Sequence, residues 1–251
     1  MLKTLTLNLR HNEDNWDMRL LLIAELLQDQ QPDIIAFQEV WLPISQADFL
    51  AALMNRMNPA HQPYAVSTAA KTVEKSQEGI ALLSRLEITD HATIALPEGG
   101  RVAQRIAVQR HGKTLHIANT HLHHRPIEDE STRLPQMKCL LEWMFAHSEG
   151  PWLLLGDMNA QPESDTLKLA LEKFKSAHHE MNGLHPTTFP TPMAAKRYPA
   201  DLALTLDYVL YQPAHFAVKK ARVIGEHAHP DQASVYPSDH FGLMAEFELA
   251  D

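Results

Sequence analysis

Four carboxylates in this chain stand where apolar runs stop or begin. Glu39 follows "DIIAFQ", Asp157 follows "WLLLG", Asp207 sits inside "LTLDYVLY", and Asp239 precedes His240 and a last apolar run. An unpaired charge at the end of a buried strand is costly, so such acids need cationic partners or a metal. Asn8 and Asn159 add two amides to the set, and His121 and His240 add two imidazoles. Hard oxygen donors of this kind suit Mg²⁺, with Mn²⁺ as its substitute; the ion keeps several waters and uses one or two protein carboxylates together with substrate phosphate. The chain has no Cys/His pattern with zinc spacing, no G-x-x-x-x-G-K-[ST] loop and no G-x-S-x-G elbow. Metal-assisted attack of water on a phosphoester is the simplest chemistry that remains.

The elements that hold these groups are legible from periodicity. In "KTLTLNL", Leu5, Leu7 and Leu9 alternate with polar or small partners, which predicts a half-buried strand. Met18, Leu21, Leu22 and Leu26 then fall at helical spacing, Pro32 closes that helix, and Ile34 to Gln38 reads as a buried strand. Strand, helix, strand is a parallel crossover. Ser45 is the expected N-cap of "QADFLAALMNRM", and short strands follow at "PYAVST", "GIALLS", "EITDHATI" and "QRIAVQR". "RHGKT" reads as a hairpin turn into "LHIANTHL"; a helix around "RLPQMKCLLEWM" and a buried strand at "PWLLLG" come next, and the C-terminal part is strand-rich.

The order in "LTLNLR" to "IIAFQEV" is repeated in "LHIANTHL" to "LLLGDMN": a strand with a polar end, a helix, then a buried strand ending in an acid. If the halves pack with pseudo-twofold symmetry, Asn8, Glu39, His121, Asp157 and Asn159 all reach strand C-terminal ends, the edge of an open α/β sheet where ligands collect. No linker or composition break divides the chain, so residues 1–251 are expected to form a single domain.

Composition narrows the partners. Lys and Arg number 22 against 31 Asp and Glu, a net charge of −9, which opposes loose attraction to nucleic acid and leaves it the less favoured substrate. The lone Cys139 excludes an internal disulfide and lies in an apolar helical pattern, as a buried structural thiol would. No apolar run reaches the roughly 20 residues of a transmembrane helix and the N-terminus has no long apolar core, so a soluble cytoplasmic protein is expected. No obligate protein partner is implied.

Seven segments carry a resemblance across nearly the whole chain. "TLNLR" with Asn8, "IIAFQEV" with Glu39, "EGIALLSR" with Glu78, "NTHL" with His121, "LLLGDMNAQP" with Asp157 and Asn159, "LDYVL" with Asp207 and "SDHFGL" with Asp239 and His240 together resemble the endonuclease/exonuclease/phosphatase superfamily. The resemblance implies a four-layer α/β/β/α sandwich of the deoxyribonuclease I type, with two packed mixed sheets flanked by helices and a Mg²⁺ site on one edge. It implies Glu39 as principal metal ligand, with Asn8 and Asp239 positioning metal or phosphate. His240, held by Asp207, is then the general base, while Asp157 and Asn159 orient water and phosphate. His121, oriented by Glu78, stabilises the transition state or protonates the leaving oxygen. Met158 replaces the third residue of the usual G-D-F-N run, and Thr205-Leu206 stands where many members carry Arg-Ile.

Specificity in such folds lies in rim loops. The candidate substrate-binding residues are Arg10, Trp41, Arg125, Arg133, Lys196 and Arg197. The expected activity is divalent-metal-dependent hydrolysis of a phosphodiester, with a small or lipid-derived substrate ahead of nucleic acid. A deoxyribonuclease-like endonuclease and a catalytically inactive binding or scaffold protein stand as the alternatives.

Overall fold

The structure is a computed structural model that describes residues 1–73, 76–124, 126–194, 197–199 and 201–250. Strand β1 (Leu2–Asn8), helix α1 (Trp16–Gln30) and strand β2 (Ile34–Trp41) form the first crossover, with β1 and β2 parallel and Asn8 level with Gln38. Then come α2 (Gln46–Met57), β3 (Ala65–Ala70), β4 (Glu78–Ser84), β5 (Ile88–Ala95), β6 (Val102–Arg110) and β7 (Lys113–His121). α3 (Arg133–His147) links β7 to the parallel β8 (Trp152–Asp157) as a second crossover. The remainder is α4 (Asp165–Leu171), β9 (Lys175–Ser176), α5 (Ala177–Asn182), β10 (Asp207–Tyr211), β11 (Phe216–Ile224) and β12 (Gly242–Leu249).

Among the described residues the strands form two six-stranded mixed sheets, ordered β11-β12-β1-β2-β4-β3 and β5-β6-β7-β8-β10-β9. Three apolar layers hold them. Ile34, Leu82, Ile117, Leu153, Val209 and Phe247 meet between the sheets. Leu5, Leu7, Ile23, Phe37, Leu50 and Met54 join the first sheet to α1 and α2, and Met137, Leu140, Met144, Trp152, Leu154 and Met158 join the second to α3. The result is the expected α/β/β/α sandwich, and its two crossovers repeat one another as the sequence pattern implied.

Three local expectations differ from the structure. β1 is buried on both faces, and its buried threonines bond within their own sheet, Thr4 Oγ1 donating to the Ala245 carbonyl of β12 and Thr6 Oγ1 accepting from Gln38 Nε2 of β2 at 3.1 Å. Ser45 does not cap α2 with its side chain; it closes a short 3₁₀ turn in a left-handed conformation, its N–H donating to the Leu42 carbonyl. β2 runs on past Gln38 through a bulge between Phe37 and Val40, whose ladder resumes at Val40 and Trp41. Cys139 is a half-buried free thiol packed beside the third apolar layer. No helix among the described residues is long and apolar enough to cross a membrane.

Polar side chains also cross between the sheets. Gln38 Nε2 donates to Asn119 Oδ1 at 2.8 Å, and Asn119 Nδ2 donates to the carbonyls of Phe37 and Ala81, both at 2.9 Å. Because buried amides must be satisfied, these bonds fix one sheet against the other more specifically than apolar contact does.

Candidate active site

Register brings the acids together. Parallel pairing of β7 with β8 sets His121 opposite Asp157, and antiparallel pairing of β8 with β10 sets Asp157 opposite Asp207. Asp207 therefore begins a strand rather than ending one, yet reaches the same edge because its strand runs the other way. Gly156 allows the close approach here: its φ is 140°, and a Cβ would collide with the Thr120 carbonyl of β7. On the first sheet Glu39 occupies the β2 bulge with φ 49°, and Asn159 follows β8 with φ 48°. Such a bulge re-aims a side chain away from the ladder.

The loop after β1 is held by one buried side chain. Arg19 of α1 donates to the carbonyls of Leu9 at 2.8 Å, Pro237 at 3.0 Å, Arg10 and His11 at 3.1 Å and Glu13 at 2.8 Å. That set stabilises a turn in which Arg10 and His11 are both left-handed, at φ 50° and 45°. In the second crossover Arg133 does the same work. It is wholly buried, and its guanidinium donates to the carbonyls of His123 at 3.3 Å, Pro126 at 2.8 Å and Ile127, and to the Glu130 carboxylate at 3.2 Å.

A cavity of about 490 Å³ opens between the two sheet edges. Glu39, Glu78, His121, Asp157, Asn159, Asp239 and His240 line it, as do Arg10, His11, Lys71 and Arg101; Ile127, Phe189, Tyr198, Leu202, Leu204 and Leu206 add an apolar lining. Met158 is fully buried in the third apolar layer instead.

The acids fall into two clusters. In the buried one, Asp207 Oδ2 lies 2.8 Å from His240 Nδ1, and Asp157 Oδ2 is 3.9 Å from His240 Nε2 and 3.5 Å from His121 Nε2. Asn8 Nδ2 donates to Asp157 Oδ2 at 3.1 Å, and the Asn159 N–H donates to Asp157 Oδ1 at 2.9 Å. Burial alone pushes His240 down, but contact with Asp207, with Asp157 and Asp239 nearby, outweighs it and carries the imidazole up to about 10. Burial, then Asp207 across the ladder, push Asp157 well above the usual carboxylate range. Burial, then Arg101, Lys71 and His240, push His121 well below the usual histidine range. These shifts favour the neutral form of His121 and the protonated form of His240.

The second cluster is half-exposed. His11 Nε2 lies 2.9 Å from Glu78 Oε2 and 3.2 Å from Glu39 Oε2, and its ring stacks on Trp41 with centroids 5.7 Å apart. Lys71 pairs with Glu78 Oε1, and Arg101 Nη1 stands 3.8 Å from the same oxygen. Burial raises Glu78, but His11 and Lys71 in contact outweigh it and hold the carboxyl down to about 2. Burial lowers His11, and Glu78 and Glu39 reverse that, leaving it above the usual range. Glu39 is pushed up by burial, then by Glu78 and Asp239.

Several expected roles change. Glu78 stands 3.8 Å from His121 Nδ1, beyond hydrogen-bond reach, and its contacts are His11 and Lys71. Asn8 Oδ1 accepts from the Arg10 N–H at 2.9 Å, and its Nδ2 donates to Asp157. Asp239 accepts from the Arg10 guanidinium and from Ser238 Oγ at 3.2 Å. Arg133 cannot meet a substrate because every face of it is covered by its own loop. Trp41 supports His11 from outside the cavity, and Arg197 is an exposed partner of Asp14 at 2.8 Å. Arg10 does line the cavity, with its charge balanced by Asp14 and Asp239. Arg125 and Lys196 lie outside the described residues.

His11, Lys71 and Arg101 were not singled out from the sequence. Each lies just outside a strand, three residues after Asn8, one after Ala70 and one before Val102; the usable signal was a cation flanking a strand on the edge that carries the acids.

Among the described residues two acid-and-histidine groups have ligand atoms within 4.8 Å of one another: His11, Glu39 and Glu78, and Asp157, Asp207 and His240. The first fits a divalent cation. Glu39 contacts no Lys or Arg among the described residues, and burial, followed by the charges of Glu78 and Asp239, raises its affinity for protons, a strain that a hard cation relieves.

Residues 5–240 match the model of the Endonuclease/Exonuclease/phosphatase family, and the chain belongs to that family. It is 28% identical to Nocturnin of Drosophila melanogaster over 280 residues, covering 93% of this chain and 42% of that protein, so it spans less than half of that relative. The human Nocturnin catalytic domain with bound sulfate anion superposes with a TM-score of 0.78 at 23% identity, covering 99% of this chain and 93% of that one. A mannosyl-6-phosphatase of Bacteroides thetaiotaomicron gives 0.77 at 19% identity, covering 99% and 100%. These structures show a shared fold.

Proposed function

We propose that the protein hydrolyses a phosphate ester of a small molecule with the help of a divalent cation held at Glu39. The observation that carries this reading is the cavity itself. Its volume of about 490 Å³ is that of a small-ligand pocket, and the acids, histidines and arginines of both sheets converge on it beside an apolar lining. The net charge of −9 argues in the same direction, against a polyanion.

Asp157, an unusually basic carboxylate fixed by Asn8 and the Asn159 N–H, accepts the proton of the attacking water. The His240 cation, oriented by Asp207, supplies positive charge to the phosphoryl oxygens as negative charge grows there. His121 Nε2 lies 3.5 Å from Asp157 on its other side and lines the cavity beside it. Glu39, with Glu78 and Asp239 nearby, would hold a divalent cation, which would supply Lewis-acid neutralisation of the phosphate. Water adds to phosphorus, the P–O bond to the alcohol breaks, the departing oxygen takes up a proton from solvent to leave as the alcohol, and inorganic phosphate or a monoester is released.

The phosphodiester expected from the sequence is one form of such a substrate. A sugar phosphate, the kind of substrate that the name of the mannosyl-6-phosphatase describes, is the other. Hydrolysis of bis-p-nitrophenyl phosphate and p-nitrophenyl phosphate with Mg²⁺ or Mn²⁺ tests the chemistry: turnover should vanish with EDTA and return with excess metal. A panel of sugar phosphates, small phosphodiesters, sphingomyelin, RNA and plasmid DNA then ranks the substrates. Failure to cleave any of them with metal bound overturns the reading, and faster cleavage of DNA or RNA replaces the small molecule with nucleic acid.

A further inference from the structure

We propose that Arg101 and Lys71 form a second anion subsite inside the cavity, which takes a second phosphate group carried by the substrate beside the ester that is cut. The inference rests on the phosphoester reading above and goes beyond it to the class of substrate.

Arg101 directly precedes β6, and its side chain is only 6% exposed, yet it lines the cavity. Its Nη2 lies 3.1 Å from His124 Nδ1, whereas Nη1 is buried and has no hydrogen-bond partner among the described residues. A buried guanidinium donor without an acceptor is costly, and the planar fork of arginine matches phosphate oxygens. Glu78 does not account for it. That carboxylate already contacts both Lys71 and His11, and the Arg101 nitrogen stands off at 3.8 Å. A cation beyond what Glu78 needs is thus held within a solvent-reaching cavity.

The two cations come from different sheets and are tied together. Lys71 follows β3 of the first sheet, Arg101 leads into β6 of the second, and the Thr72 N–H donates to the Gly100 carbonyl at 2.9 Å between them. Such a subsite is preorganised, with little loop ordering left for the ligand to bring about. The carboxylate that Arg101 pairs with is Glu78 of the half-exposed cluster, and among the described residues it makes no ion pair with Asp157 or Asp207, so it stands on the Glu78 side of the cavity, next to the groups assigned to the scissile phosphate. A volume of about 490 Å³ has room for more than one phosphate group.

Calorimetric titration of metal-loaded Asp157→Asn protein, in which turnover is suppressed, tests the subsite with AMP against ADP and ribose monophosphate against ribose bisphosphate. At least one doubly phosphorylated member should bind about tenfold tighter than its partner, and Arg101→Met in the same background should reduce that advantage to about twofold or less. Lys71→Met should do the same, and Arg101→Lys should restore part of the advantage, so the result does not hang on the folding of one variant. Equal loss of affinity for both members of a pair assigns Arg101 to the scissile phosphate and overturns the inference. Unchanged affinity for both leaves Arg101 a structural counter-charge and also overturns it. If none of the four probes binds while EDTA-sensitive hydrolysis is intact, the subsite falls and the phosphoester reading stands.

Discussion

Glu78 and Asp157 both stand at strand edges in one cavity, yet Glu78 is held down to about 2 while Asp157 is pushed well above the ordinary carboxylate range. Burial pushes both acids upward. For Glu78, 13% exposed, two cations in contact reverse that push; Asp157, 1% exposed, faces another acid across the ladder and accepts its hydrogen bonds from neutral donors. Contact partners, and not strand position, decide which acid is basic. The half-exposed cluster is therefore a standing arrangement of opposed charges, and the buried cluster contains a carboxyl with a raised affinity for protons.

The largest expected effect breaks that division of labour. Asp157→Asn should lower kcat by about 10² to 10⁴-fold, the usual contribution of a general base, with folding intact by circular dichroism. Wild-type turnover in this variant would remove Asp157 from proton transfer and return the role to His240.

A second, smaller effect sharpens the contrast through pH. His240 has a folded pKa of about 10 against an ordinary 6.5, so its stabilisation is complete below about 6.5 and is lost as pH rises through about 10. Glu78 has a folded pKa of about 2 against 4.5, so its stabilisation is complete above about 4.5 and is lost as pH falls through about 2. Urea denaturation of metal-free protein should show the gap between wild type and His240→Gln closing at alkaline pH, and the gap to Glu78→Gln closing at acid pH. Two gaps that close at the same end would show the clusters to be alike.

The smallest effect is confined to one ring. In Glu78→Gln the His11 pKa should fall, because the hydrogen bond and charge that raise it are removed, while Glu39 retains part of the effect. Titration of the His11 ring protons by NMR checks this. An unmoved His11 would mean that Glu39 alone sets its charge.

The sequence made the acids visible because carboxylates such as Glu39 and Asp157 are rare after runs like "DIIAFQ" and "WLLLG", and it made the crossovers visible because the period switches from two to near four and back. It concealed His11, Lys71 and Arg101, since single cations in loops follow no period. It misled at Arg133, where a polar stretch resembling a solvated rim folds inward. The charge states were beyond its reach. Asp207 lies fifty residues from Asp157 in the chain, and only strand register makes them neighbours.

Arg19 and Arg133 have a consequence for how such a site diversifies. Each gathers main-chain carbonyls from the loop between a strand and its crossover helix, and a carbonyl is the same whatever side chain its residue bears. Both arginines thus hold their loops chiefly through backbone carbonyls, joined in the second by the Glu130 carboxylate. Outward-facing side chains around Glu13 and Glu128 are free to vary while the loop keeps its shape, which offers a natural pair of positions for altering substrate preference without rebuilding the scaffold.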